Sequence, residues 1–181
     1  MADQQLYFLA IVPPSPIYEE VSAMKRLVSD RFNSKGALRS PPHITLHMPF
    51  GWRSDREDKL INLLSDFNPS VDRLEVTLKN FNWFEPRVIY VDVLPNDDLR
   101  RIQHELVRYV RKNLGLINAD YKERGFHPHM TIAFRDLNKA MFLEAREYFK
   151  HETYDATFIA HDFALLRHNV QHWDILRLFE L

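Results

Sequence analysis

The feature that most constrains this chain is a short pattern that occurs twice, Pro42-His43-Ile44-Thr45-Leu46 and Pro128-His129-Met130-Thr131-Ile132. The two histidines stand 86 residues apart, at 43 and 129 of 181. Each copy follows one helical pattern and precedes another, which reads as an internal duplication and implies two related lobes. Side chains alternate faces along a strand, so His43, Thr45 and His47 are expected on one face and Ile44, Leu46 and Met48 on the other. In the second copy His127, His129 and Thr131 oppose Met130, Ile132 and Phe134. A single His-x-Thr would be an ordinary polar strand face. Two copies in equivalent contexts are what two lobes facing one another across a cleft would contribute.

Periodicity fills in the rest. Leu6–Val12 reads as a strand, followed by a helix with Ser15 as N-cap, Pro16 at its first position and an apolar stripe Ile17, Val21, Met24, Val28, Phe32. Ser40–Phe50 reads as a strand. Ser54-Asp55-Arg56-Glu57 has the form of a capping box before a helix bearing Leu60, Leu63, Leu64 and Phe67. Val71–Phe84 and Arg87–Leu94 read as strands joined at Glu85-Pro86. Asp97–Leu114 is the most strongly patterned helix, with Gly115 as C-cap. A strand His127–Phe134, a helix near Asn138–Lys150 and two strands, about Thr157–Leu166 and Trp173–Leu181, close the chain. The order is β-α-β-α-β-β-α-β-α-β-β. It predicts an α+β fold: a single domain over 1–181 made of two pseudo-symmetric lobes, each a mostly antiparallel sheet flanked by helices.

Composition removes most other chemistries. The chain has no cysteine, which excludes disulfides, thiolate nucleophiles and Cys-rich zinc sites. Its four glycines lie too far apart for a Rossmann or Walker loop. With 24 Lys+Arg against 25 Asp+Glu the net charge is −1, so no global basic field draws duplex DNA. A small or short nucleotide suits it better. No segment approaches the roughly 18 apolar residues of a membrane span, and the N-terminal residues lack a signal-peptide pattern. A cytoplasmic protein is expected.

The repeated motif has a clear chemical use. Imidazole titrates near pH 6.5, so one ring can accept a proton from an attacking hydroxyl or water while the other donates one to a leaving oxygen. Hydroxyls two residues on can hydrogen-bond the non-bridging oxygens of a phosphoryl group. This chemistry calls for no metal and no cofactor.

At these residues the chain resembles the 2H phosphoesterase superfamily, in particular the bacterial 2′-5′ RNA ligase and cyclic phosphodiesterase-like proteins. Their signature is a pair of H-x-[ST]-x (HxTx) motifs, matched by His43-Ile44-Thr45-Leu46 and His129-Met130-Thr131-Ile132. The resemblance spans almost the whole chain. It implies a bilobal fold with the motifs lining the cleft, and metal-independent cleavage of 2′,3′-cyclic or 2′-5′ phosphodiester bonds in small nucleotides or RNA ends, reversible in some members. It assigns catalysis to His43, Thr45, His129 and Thr131, leaving open which histidine is acid and which is base.

Further substrate contacts are sought at His47 and His127, which share the motif faces, at Lys122 and Arg124 in the loop before the second motif, and at Arg167 in the last hairpin. Two alternatives stand beside the phosphoesterase. One is a nucleotide-binding or regulatory module with little turnover. The other is a His-ligated metal enzyme, although His43-x-x-x-His47 lies on a strand and His104-Glu105 lacks the second histidine of H-E-x-x-H. No exposed heptad seam marks an assembly surface, so a monomer is favoured.

Overall fold

The computed structural model describes residues 3–71, 73–117 and 125–181. Among these residues eight strands and four α-helices follow one another: β1 (Gln4–Ile11), α1 (Ile17–Phe32), β2 (Ile44–Arg53), α2 (Glu57–Ser65), β3 (Leu74–Phe84), β4 (Val88–Val93), α3 (Asp97–Leu114), β5 (His129–Ala133), α4 (Lys139–His151), β6 (Asp155–Ala160), β7 (Asp162–His168) and β8 (Trp173–Glu180). The strands are antiparallel throughout, in the order β6-β3-β4-β5-β2-β1-β7-β8. Four strands form each half, and the two motif strands, β5 and β2, meet in the middle.

The halves match about that seam. In each, the motif strand pairs with the strand that precedes it in sequence, β1 for β2 and β4 for β5, with a helix between them. The long helices cross over: α1 packs on β5 and α4, whereas α3 packs on β2 and β3. One continuous apolar cluster therefore runs through both halves, from Tyr7, Leu9 and Ile11 through Ile44 and Met130 to Leu106, Phe142 and Phe149. The α+β bilobal architecture is as the sequence implied.

Three details differ from the expected boundaries. The run Thr157–Leu166 is two strands that break at His161, because β6 pairs with β3 in one half and β7 with β1 in the other. Periodicity within a run carries no record of which sheet half each end joins. Pro16, not Ser15, occupies the N-cap of α1, while the Ser15 hydroxyl donates to Glu19 at 2.9 Å. No side-chain cap forms at Ser54 either. Ser54 instead opens a 3-10 turn before α2, and its hydroxyl donates to the Asp3 carbonyl beside β1. Gly115 does close α3 in the left-handed conformation, at φ 69°.

A carboxylate links the two halves. Asp136, just after β5, accepts from the Ser34 hydroxyl at 2.7 Å and from the Lys35 and Gly36 amides at 2.7 and 2.9 Å. Gly36 is required for this approach, since a Cβ there would lie 2.5 Å from the Phe134 carbonyl oxygen. Partial burial pushes the Asp136 carboxyl up, but the three hydrogen bonds outweigh it and hold it below its ordinary range. Its contribution is therefore present above about pH 4 and lost as the pH falls below that. Asp136→Ala should lower unfolding free energy by about 2 kcal/mol, because it strands a buried hydroxyl and two amides. Urea unfolding at pH 7 checks this; an unchanged midpoint would show that the bracket carries no weight.

Candidate active site

The register of the central pair organises the site. Ile44 pairs with Met130, both fully buried on the helix side. Extending that antiparallel register one residue each way sets His43 opposite Thr131 and Thr45 opposite His129. The four side chains share the face away from the helices, and all four residues are half-buried. The duplication thus converges on one tetrad at the seam between halves.

Each imidazole is held in the same way. His43 Nδ1 lies 2.8 Å from the Pro41 carbonyl oxygen, and His129 Nδ1 lies 2.7 Å from that of His127. A carbonyl can only accept, so each Nδ1 carries the hydrogen and each Nε2 of the neutral ring keeps its lone pair. An aromatic ring from the neighbouring strand supports each one: Phe8 of β1 packs on His43 at 4.9 Å, and Tyr90 of β4 packs on His129 at 4.9 Å. These rings reach the cleft by simple alternation. On β1, Tyr7, Leu9 and Ile11 enter the main core, while Phe8 and Ala10 form a second apolar cluster with Ala164, Leu166 and Trp173.

The electrostatics of the two sites differ. Burial pushes the His43 imidazole well below its usual value, the nearby Lys25 ammonium pushes it further, and the Pro41 carbonyl opposes both. Burial also lowers His129 and the neighbouring His127 ring pushes the same way, while the His127 carbonyl and, more weakly, the Asp92 carboxylate pull the other way. Both rings are neutral near pH 7 before an anion arrives. His43, beside a cation, is the harder of the two to protonate.

The other sequence candidates divide. His127 is exposed next to His129, with ring centroids 6.2 Å apart, and its Nε2 lies 3.4 Å from the Tyr90 hydroxyl and 3.8 Å from Asp92. The expectation that His47 shares the His43 face is overturned. The β1–β2 register steps from Ala10↔Thr45 to Leu9↔His47, two residues on one strand against one on the other, and this bulge turns His47 into the core. There it is fully buried, its Nδ1 2.8 Å from the Met48 carbonyl and its Nε2 without a partner. Arg167 is corrected too. It pairs with Tyr7, on the helix side, where its guanidinium donates to both Glu57 oxygens at 3.1 and 3.3 Å. Lys122 and Arg124 lie outside the described residues.

Sequence reasoning missed Phe8, Tyr90, Asp92 and Lys25. Only Lys25 left a signal, a lysine inside the apolar stripe of α1 between Val21 and Val28. It is 2% exposed and its Nζ donates to the Ser40 carbonyl at 3.0 Å. Among the described residues, no three His, Asp or Glu side chains cluster as a metal site.

A family model described as the 2′-5′ RNA ligase superfamily matches residues 13–172. Proteins of Geobacillus sp. (strain WCH70) and Geobacillus kaustophilus, each provisionally named a phosphoesterase, are 31% identical over 140 residues, covering 76% of this chain and 73% of theirs. Among solved structures, Escherichia coli LigT without ligand shares the fold at TM-score 0.68 and 18% identity, over 99% of this chain and 98% of that one. The same protein complexed with 3′-AMP gives 0.65 and 18%, over 99% of both. TT0787 of Thermus thermophilus gives 0.68 and 19%, over 98% of this chain and 97% of that one.

Proposed function

Because the chain belongs to the 2′-5′ RNA ligase superfamily, we propose that it is a metal-independent phosphoesterase that opens 2′,3′-cyclic or 2′-5′ phosphodiester bonds in small nucleotides or RNA ends. The observation that carries this reading is the matched pair of imidazoles, each with Nδ1 tied to a carbonyl and Nε2 left for substrate, each opposite the other motif's threonine. A phosphodiester seated between them meets a base on one side and an acid on the other. In hydrolysis, neutral His43 takes the proton of the attacking water while its oxygen bonds phosphorus. Protonated His129 gives its proton to the departing ribose oxygen as the ester bond breaks. The Thr45 and Thr131 hydroxyls donate to the non-bridging oxygens, where charge accumulates. Run backwards, the same steps form the bond.

The assignment of roles rests on the deeper depression of His43, which Lys25 reinforces, and on Asp92 beside His129, which favours its protonated form against the neighbouring His127 ring. LigT has been crystallised with 3′-AMP, ATP and NADP+, which supports a nucleotide substrate. The two lobes act as one domain in this reading, and a cytoplasmic RNA-processing role belongs to it. No helix of the described residues is long and apolar enough to cross a membrane.

Incubating purified protein with 2′,3′-cyclic nucleotides and 2′-5′ linked oligonucleotides in excess chelator tests the reading. Turnover of at least one class, unaffected by chelator, is expected. No turnover would favour a binding module, and turnover abolished by chelator would favour a metal enzyme.

The depressed imidazoles add a pH prediction. Since both are neutral in the free protein, the proton that the acid needs is taken up when the phosphate anion binds and raises its pKa. Sign follows from linkage: affinity gained this way is fully present below the free-protein pKa and lost as pH rises through the bound one. A non-cleavable phosphodiester should therefore bind about tenfold more tightly at pH 6 than at pH 8. Identical inhibition constants across that range would contradict proton uptake.

A further inference from the structure

A recess of about 400 Å³ opens beside the first motif, between α1, the turn before His43 and the start of β8. Its lining includes Lys25, Arg26, Arg39, Tyr18, Trp173 and Asp174, three cations against one carboxylate. It touches the reaction centre twice. Pro41, whose carbonyl fixes His43 Nδ1, lines it, and Trp173 packs at 4.7 Å on Phe8, the ring beneath His43. None of the three cations enters an ion pair among the described residues.

We propose that this recess is a subsite for the nucleotide neighbouring the one being cut, its phosphodiester held by Lys25, Arg26 and Arg39 and its base against Trp173 or Tyr18. The substrate class is then a short oligonucleotide end rather than a mononucleotide. This rests on the phosphoesterase reading. The strongest element is Lys25, a buried ammonium that has a carbonyl partner and no counter-charge. A buried cation without an anion is costly, and burial lowers this one to about 7. A phosphodiester oxygen in the recess would supply the missing charge and one further acceptor. Arg26 and Arg39, both exposed, reach the same anion from the rim. Half-buried Trp173 and Tyr18 present rings of the kind on which bases stack irrespective of sequence. A recess of this size falls in the range of small-ligand sites.

The test compares kcat/KM for adenosine 2′,3′-cyclic phosphate with that for a trinucleotide ending in the same cyclic phosphate. Wild type should prefer the trinucleotide by about tenfold at low salt, and the preference should shrink as salt is raised. In the Arg26→Gln/Arg39→Gln protein the ratio should fall to within about twofold of one, and Lys25→Met should lower it likewise. A wild-type ratio of one, or a ratio that survives the arginine substitutions, overturns the subsite. Should neither substrate turn over, the phosphoesterase reading fails and the subsite is judged separately by anisotropy of a labelled trinucleotide. Weaker binding to the arginine variant then supports it, and equal binding overturns it.

Discussion

Replacing either motif histidine by alanine is expected to lower kcat about a hundredfold or more, with the fold intact. The size follows from the role, since a positioned general acid or base contributes about 10²–10⁴ in rate. Both rings are half-buried on the face away from the main core, and each makes one hydrogen bond to a carbonyl two residues upstream, so truncation opens no large cavity. Circular dichroism should show unchanged melting within a few degrees. The two losses should not multiply. Proton removal and proton donation belong to one transition state, and residues that act as a unit give grossly non-additive losses. The double variant is therefore expected close to the weaker single one. Loss in only one variant would leave a single-histidine mechanism, and full activity in both would remove the histidines from the chemistry.

Replacing the threonines by valine should have the next largest effect, roughly a hundredfold in kcat for Thr45→Val or Thr131→Val. Valine keeps the shape of the side chain and removes the donor, so the change isolates the hydrogen bond. One donor aimed at developing oxyanion charge is worth about 10²–10³ in rate. Because that charge grows only towards the transition state, kcat should fall with KM nearly constant. Thr→Ser should restore most of the rate. A rise in KM alone would mean that the hydroxyls hold ground-state substrate, and no change would exclude them. The opposition of Thr131 to His43 and of Thr45 to His129 adds a further expectation: each threonine should be coupled to the histidine of the other motif at least as strongly as to its own.

What the sequence foretold and what it could not are separated by range of interaction. The motif histidines stood out through repetition, and the Gly115 cap and the Asp97–Leu114 helix through local pattern; the structure bears out the helix and its cap. His47 could not be placed correctly because the bulge arises between β1 and β2, and a strict two-residue period holds only while the register does. Arg167 looked free until Glu57, 110 residues away in sequence, was brought to it. Thr157–Leu166 read as one run because its division between halves is decided by β3 and β1. Phe8 and Tyr90 were indistinguishable from other strand aromatics; the pairings of β1 with β2 and of β4 with β5 set them beneath the imidazoles. Lys25 alone had a visible anomaly, a charge within an apolar stripe.

That lysine and Asp92 also give the proposed mechanism its asymmetry. Two copies of one motif provide like imidazoles, whereas catalysis needs one to take a proton as the other gives one. In the proposed mechanism the surroundings separate the pair without altering the motif: Lys25 opposes a charge on His43, whereas at His129 the Asp92 carboxylate works against the opposing His127 ring.

The central claim, that the two imidazoles form a complementary base and acid, is tested most directly by kcat against pH from 3 to 9 in excess chelator, for wild type, His43→Ala and His129→Ala; the range reaches low because His43 is held well below the ordinary imidazole value. Wild type should give a bell, falling at low pH as His43 is protonated and at high pH as His129 loses its proton. His43→Ala should lack the acidic limb and His129→Ala the alkaline one. A flat wild-type profile between pH 3 and 9, or a bell that persists unchanged in both variants, would contradict the paired-imidazole mechanism.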